Sequence, residues 1–336
     1  MQVVSELIPK KLLVLGTGGT IAGTASNAAD NIGYTAAQVG VAQLLAAVPA
    51  LSGVLRGHDL LSEQVAQVDS KDMRFDIWLV LAQRVAHHLA QPDVSGVLIT
   101  HGTDTLEETA YFLHAVLPPE LIATKPVVLT CAMRPASAQT PDGPQNLMDA
   151  VAVALTPGAH GVVAVCAGTL HSGLDVQKSH TYKLDAFTSG DAGPLGYVEE
   201  GQVRLTRNWP LALMNKGQVA IKDIPVSTAW PRVEIVMNYA GCGGEVVDAL
   251  LLPRHGLAPL RGLVVAGTGN GTMHQDLEAA LRRAQQAGVK VVRSTRCAQG
   301  RVLAAANSEF AHSDGLSPVK ARVALMLALL QPASGM

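Results

Sequence analysis

Charge is scarce in this sequence. Only 15% of its 336 residues are Asp, Glu, Lys or Arg, they nearly cancel to a formal −2, and no lysine or arginine cluster stands out. The electrostatic footprint of a nucleic-acid binder is therefore missing, and a small neutral or zwitterionic ligand fits better. Cysteine is scarce too: Cys131, Cys166, Cys242 and Cys297 are widely scattered with no C-x-x-C spacing, which reads as buried free thiols rather than a disulfide framework. No long apolar run opens the chain. Met1 to Lys11 carries Glu6 and Pro9 ahead of only four consecutive apolar residues, neither a signal-peptide core nor a membrane span. The expectation is a cytoplasmic protein with no nucleic-acid or membrane partner. Several catalytic signatures are missing as well: there is no G-x-S-x-G elbow, no H-E-x-x-H, and the eleven histidines fall at no metal-ligand spacing. His87-His88, in a helical stretch, reads as solvated surface, no metal or cofactor is expected, and hydrolysis by an activated hydroxyl is what remains.

What the chain does have is apolar content, 48% of its residues, enough for a sizeable core and for two domains. Apolar runs at Leu12–Leu15, Val97–Thr100, Pro126–Thr130, Gly161–Val165, Val233–Val236, Gly262–Ala266 and Val289–Val292 alternate with helical patterns. That alternation predicts stacked βα units and an α/β fold with a largely parallel sheet. The clearest helix is Gln275–Ala287, where Leu277, Ala280, Leu281 and Ala284 recur at helical spacing and Gly288 supplies a stop. A last helix is expected over Val319–Leu330, with Ser317-Pro318 at its start. Two alternating runs around a Gly-containing turn, Leu195 to Leu205, predict a β-hairpin closing the first domain. Pro210, Pro225 and Pro231 then break the rhythm. The expected layout is an N-terminal catalytic domain over 1–207, a linker over 208–231 and a C-terminal α/β domain over 232–336.

Two of the apolar runs end in threonines: Leu12 to Leu15 is followed by Gly16-Thr17-Gly18-Gly19-Thr20, and Val97 to Ile99 by Thr100-His101-Gly102-Thr103-Asp104-Thr105. Ligands of open α/β sheets bind outside the carboxyl ends of the strands, so both hydroxyls can face one crevice. The first segment is not a dinucleotide fingerprint, because the third glycine position holds Ile21 and no acid, Asp30 included, stands at the end of a second strand. Its glycines let the backbone turn sharply and leave the Thr20 hydroxyl presented rather than buried. A tight turn with an incidental threonine and a nucleophile both remain open there. In the second segment, Thr105-Leu-Glu-Glu108 has capping-box spacing, which explains Thr105 by itself but leaves Thr103 and Asp104 without that excuse. Asp104 near a helix N-terminus is stabilised as an anion and suited to a substrate ammonium, the alternative being a solvated cap region.

Threonine attacks poorly unless a base takes its proton. Tyr34, in a loop rich in Ser, Asn and Asp, could cover the crevice as a lid; Lys178, in Asp175-Val-Gln-Lys178, could serve as a base if desolvated beside Thr103. An ordinary loop tyrosine and a surface lysine are the competing readings.

These segments together resemble the bacterial L-asparaginase and glutaminase-asparaginase amidohydrolases. The carriers are Thr17-Gly-Gly-Thr-Ile-Ala22, Ile99-Thr-His-Gly-Thr-Asp-Thr105 with Glu107-Glu-Thr-Ala-Tyr111, Ala132-Met-Arg-Pro135, Asp142-Gly-Pro144, Gly193-Pro-Leu-Gly196 and Val291-Val-Arg-Ser-Thr-Arg296. The resemblance implies that Thr20 attacks the side-chain amide with help from Tyr34, that Thr103, Asp104 and Lys178 form a second catalytic group, and that water hydrolyses an acyl-enzyme. It also implies Ser70 at the substrate α-carboxylate, Asp104 at its α-ammonium, and backbone amides of Gly19 and Gly102 at the oxyanion. The implied fold is a larger N-terminal and a smaller C-terminal α/β domain, and the implied assembly a homotetramer of intimate dimers with shared active sites.

Three departures from the family pattern stand out. Lys71 follows Ser70 where glutamine is common in the periplasmic-type enzymes, adding a cation beside the expected carboxylate site or pointing to solvent. Thr272 stands where some relatives have an asparagine contact from the neighbouring subunit, a choice also found among relatives that accept glutamine. The stretch Gly300–Ser317 is shorter than in the periplasmic-type enzymes, and the acid that completes the Tyr34 group there has no secure match, Glu309 being the nearest candidate. The leading expectation is an asparagine amidohydrolase, with glutamine as a second substrate; its rivals are a catalytically weak amino-acid binder and a tRNA-dependent amidotransferase subunit, against which the lack of a basic face counts.

Overall fold

The computed structural model describes residues 10–210, 219–225, 227–304 and 308–330. The N-terminal stretch before Lys10, and residues 211–218 and 226 of the expected linker, lie outside the described residues. By its internal contacts the chain divides into two compact units, Met1–Met214 with Ala220–Lys222, and Asn215–Val219 with Asp223–Met336.

Ten strands lie in the first unit among the described residues: β1 (Lys11–Gly18), β2 (Asp59–Val68), β3 (Val94–Thr100), β4 (Pro126–Thr130), β5 (Gly161–Cys166), β6 (Thr169–Ser172), β7 (Gln177–Lys178), β8 (Phe187–Thr188), β9 (Gly196–Glu199) and β10 (Gln202–Leu205). Eight of them form one sheet in the order β10-β9-β6-β5-β4-β3-β1-β2. β2, β1, β3, β4 and β5 run parallel, whereas β6, β9 and β10 each pair antiparallel with their neighbours. The expected runs of β1, β3, β4 and β5 are all strands, buried almost throughout because helices cover the sheet. The hairpin β9–β10 is also present, its two-residue turn Glu200-Gly201 taking positive φ at both positions, as the twist of a tight hairpin requires.

Helices α1 (Val41–Ala46), α2 (Leu51–Val54), α3 (Phe75–Leu89), α4 (Leu106–Val116), α5 (Pro119–Ile122) and α6 (Gly143–Ala154) connect the strands. α3 turns Ile77, Trp78, Leu81, Ala82, Val85 and Leu89 inward, and each large side chain so buried contributes roughly 1.5–3 kcal/mol. His87 stays exposed as expected, but His88 does not: it lies 2.9 Å from Glu63 of β2, beside Arg84, and only 14% of its side chain is accessible.

The chain leaves β1 for the edge strand β2 and returns to β3 on the other side of β1. The strand order therefore reverses between β1 and β3, and such a reversal opens a crevice at the strands' carboxyl ends. Both threonine segments emerge there.

The second unit holds a four-stranded parallel sheet, β11 (Arg232–Met237), β12 (Leu260–Gly267), β13 (Lys290–Thr295) and β14 (Ala311–His312), with α7 (Glu245–Leu251), α8 (Gln275–Gln286) and α9 (Pro318–Leu330). α8 buries the four residues its periodicity marks, Leu277, Ala280, Leu281 and Ala284. Three of the cysteines are buried, but Cys297 is exposed, because it follows β13 in a loop rather than ending a strand inside the sheet.

Candidate active site

The turn after β1 is shaped by glycine. Gly18 and Gly19 take φ of 101° and 82°, a region that side chains disfavour. A Cβ on Gly19 would collide with the Gly102 backbone, so the turns after β1 and β3 touch main chain to main chain. Thr17 Oγ1 donates to the Thr100 carbonyl at 2.9 Å, tying the two strand ends together.

Thr20 begins a short 3-10 turn, and its hydroxyl shares a 2.7 Å hydrogen bond with Tyr34 Oη. The residue is only 7% exposed, so the hydroxyl is not openly presented as expected; the phenol covers it. Tyr34 comes from a loop pinned by reciprocal bonds between Thr24 and Thr35 at 2.9 and 2.8 Å. Asp30 shapes the loop by accepting the Gly33 and Ile32 N–H groups, bonds that hold its carboxyl below the usual carboxylate range.

The expected role of the Gly19 amide is not supported. Its N–H donates to the Val68 carbonyl at 2.9 Å, because the β1–β2 ladder resumes past an irregularity between Gly16 and Gly18 and uses that donor. Gly102 makes no such backbone bond among the described residues.

Ser70 follows the end of β2 and is 2% exposed. Its Oγ accepts the Asp104 N–H at 3.2 Å, and its carbonyl accepts the Thr105 hydroxyl at 2.7 Å. Thr105 therefore does not cap α4 with its side chain, despite the capping-box spacing; the hydroxyl finds a long-range partner and ties the β3 turn to Ser70. A Cβ on Gly102 would strike Ser70 Oγ, so this packing needs glycine.

The second threonine has a fuller set of partners. Lys178, the last residue of β7, donates through Nζ to Thr103 Oγ1 at 2.9 Å and to Asp104 Oδ1 at 2.6 Å. Thr103 is buried, Lys178 largely so, and Asp104 half exposed. Lys71 is not drawn into this cluster. Its ammonium lies 2.7 Å from Asp69 and 3.1 Å from Asp72, and these hydrogen bonds push its pKa to about 12 with the side chain 61% exposed.

Glu309 and Thr272 lie in the second unit, each with local partners. Glu309 accepts from Arg282 Nε at 2.8 Å, and Thr272 bonds Thr268 through both hydroxyl and main chain. His101 is wholly buried beside Gly102, and its place inside Thr100-His101-Gly102-Thr103 is the one sequence signal that marks it.

Two braced hydroxyls lie at the carboxyl ends of adjacent parallel strands, the place where enzymes of α/β architecture bind their ligands. Comparison with known proteins makes this particular. The family described as asparaginase, N-terminal, matches residues 11–211, and the glutaminase/asparaginase C-terminal domain matches residues 232–335. L-asparaginase 2 of Escherichia coli is 37% identical over 327 residues, covering 95% of this chain and 89% of that protein. Glutaminase-asparaginase of Pseudomonas fluorescens is 38% identical over 326 residues, covering 95% and 86%. A crystal structure described as probable cytoplasmic L-asparaginase from Campylobacter jejuni superposes with a TM-score of 0.84 at 38% identity, covering 96% of each chain. The chain belongs to the asparaginase and glutaminase-asparaginase family.

Proposed function

We propose that this protein is an L-asparaginase that hydrolyses the side-chain amide of L-asparagine to L-aspartate and ammonia through a threonine acyl-enzyme. The observation that carries the reading is the pairing of each threonine hydroxyl with a proton-handling side chain, Thr20 with Tyr34 at 2.7 Å and Thr103 with Lys178 at 2.9 Å. Thr20 Oγ1 attacks the amide carbon while Tyr34 takes its proton and passes it to the leaving nitrogen, so that the C–N bond breaks and ammonia departs. Thr103, Asp104 and Lys178 then position and deprotonate the water that cleaves the ester, returning Thr20. Ser70 receives the α-carboxylate and the Asp104 carboxylate the α-ammonium.

Glutamine is the second substrate in this reading, in keeping with the relative named glutaminase-asparaginase. The working assembly is a homotetramer of intimate dimers, and the compartment is the cytoplasm, the latter in keeping with the description of the Campylobacter structure.

Ammonia release from asparagine and from glutamine by wild type, Thr20→Ala and Thr103→Ala tests the assignment. Release by wild type and loss in both variants is expected. Binding of either amino acid without release makes the protein a binder, and unchanged release by Thr20→Ala removes Thr20 as the nucleophile.

A further inference from the structure

His101 lies wholly buried next to the proposed site, and the chemistry above makes no use of it. Its main-chain N–H continues the sheet, donating to the Thr130 carbonyl at 2.9 Å. Its ring is bonded at both nitrogens: Nδ1 is 2.7 Å from the Gly102 carbonyl oxygen, and Nε2 is 2.9 Å from Thr109 Oγ1 of α4. Thr109 Oγ1 in turn accepts the Trp78 indole N–H of α3 at 2.8 Å. Trp78 stacks on Phe112 with ring centroids 5.0 Å apart, so the far end of the row is embedded where α3 and α4 pack together.

The two ends decide where every proton lies. An indole N–H only donates and a carbonyl oxygen only accepts. Nδ1 must therefore carry the proton shared with Gly102, which leaves Nε2 of the neutral ring as an acceptor. Thr109 gives Nε2 its single hydroxyl proton and takes the indole proton on a lone pair. Burial excludes the charged ring near neutrality, holding the pKa down at about 4.

We infer that Trp78, Thr109 and His101 form a proton-ordered row that fixes the Gly102–Thr103 peptide plane and so aims the Thr103 hydroxyl, which makes His101 a positioning residue for the amide hydrolysis proposed above, on which reading this inference rests. The turn needs such a hold. Gly102 must be glycine, since Ser70 and Gly19 leave no room for a Cβ, and a glycine gives its own peptide little steric restraint. The His101 bond supplies that restraint from beneath, and the Thr105 bond to Ser70 holds the same turn from the side. Small displacements of a catalytic group are costly, on the order of a hundredfold for about 1 Å.

The test has two independent readouts on the full-length protein. In 15N-histidine-labelled wild type, NMR at neutral pH is expected to show His101 protonated at Nδ1 alone; protonation at Nε2 overturns the proton order. In Thr109→Val, which keeps the shape but removes the hydroxyl, kcat for ammonia release is expected to fall about tenfold to a hundredfold with KM moving less than about threefold. Thr109→Ser, which restores the hydroxyl, is expected to recover most of kcat. An unchanged kcat in a folded Thr109→Val overturns the positioning role, as does a Ser variant no better than Val. If wild type releases no ammonia from asparagine or glutamine, it is the amidohydrolase reading that fails, and the tautomer measurement still decides whether the row exists.

Discussion

The two threonine centres are built in different ways. Thr20 stands on a turn of left-handed glycines and meets one phenol, carried by a loop with no helix or sheet strand of its own. Thr103 stands between a buried strand and the eleven-residue α4, and Lys178 binds both it and the neighbouring Asp104. Beneath the second centre runs a fully bonded buried row; the first rests on a glycine turn packed against the Gly102 main chain. A centre held by a loop can be assembled around a substrate and dismantled afterwards, whereas one held by strand, helix and ion pair is ready beforehand. In the proposed reaction the amide falls to the loop-held centre and the water molecule to the one built from strand, helix and ion pair.

That division can be broken most sharply at Lys178. Lys178→Met is expected to lower kcat for ammonia release about 1000-fold, because Thr103 and Asp104 lose their shared donor together; steady-state kinetics checks this. Tyr34→Phe comes next, with a fall of about a hundredfold in kcat and a melting temperature unchanged within error, since the phenol hydroxyl bonds Thr20 and leaves the core alone. A loss of stability as large as that caused by disturbing α3 or α4 would show that the loop is part of the folding unit and would erase the contrast.

A third difference lies in pH dependence. His101 has its pKa lowered from 6.5 to about 4 by burial. Between those values the unfolded chain binds a proton that the folded protein refuses. The contribution of this residue is therefore fully present above pH 6.5 and is lost as pH falls towards 4, by on the order of 3 kcal/mol. Denaturant unfolding at pH 7 and pH 4.5 should show a larger drop for wild type than for His101→Gln; equal drops would show that His101 is not held neutral. The smallest effect is expected at Lys71. Its partners are the exposed carboxylates of its own turn, so Lys71→Gln should change KM for asparagine by less than about twofold. A larger change in the kinetic assay would return Lys71 to the substrate site.

The sequence announced the buried half of this fold and little of its rim. β1, β3, β4 and β5 were legible because strands covered on both faces read as unbroken apolar runs. β2, Asp59-Leu-Leu-Ser-Glu-Gln-Val-Ala-Gln-Val68, was not, because it is an edge strand whose residues are exposed or half-buried and whose pattern never becomes apolar. Missing β2 also hid the reversal of strand order that brings the turns after β1 and β3 together, although their threonines were found. Local spacing misled at Thr105, where a capping-box pattern is real in sequence but the hydroxyl bonds Ser70, 35 positions away. The row from Trp78 to His101 was invisible for the same reason: its members are joined only when α3 and α4 pack, and no spacing along the chain encodes that.

The meeting of Gly19 with Gly102 sets a limit on how this site can be altered. The width of the gap between the two hydroxyls is written in main-chain atoms, since neither residue has a side chain to trim and neither has room to gain one. Redesign of Tyr34, Ser70 or Lys178 can retune reactivity or selectivity, but the gauge between the centres stays as it is. Widening it for a longer amide would mean moving a strand of the sheet, and protein engineering that starts from the pocket walls alone will meet that stop first.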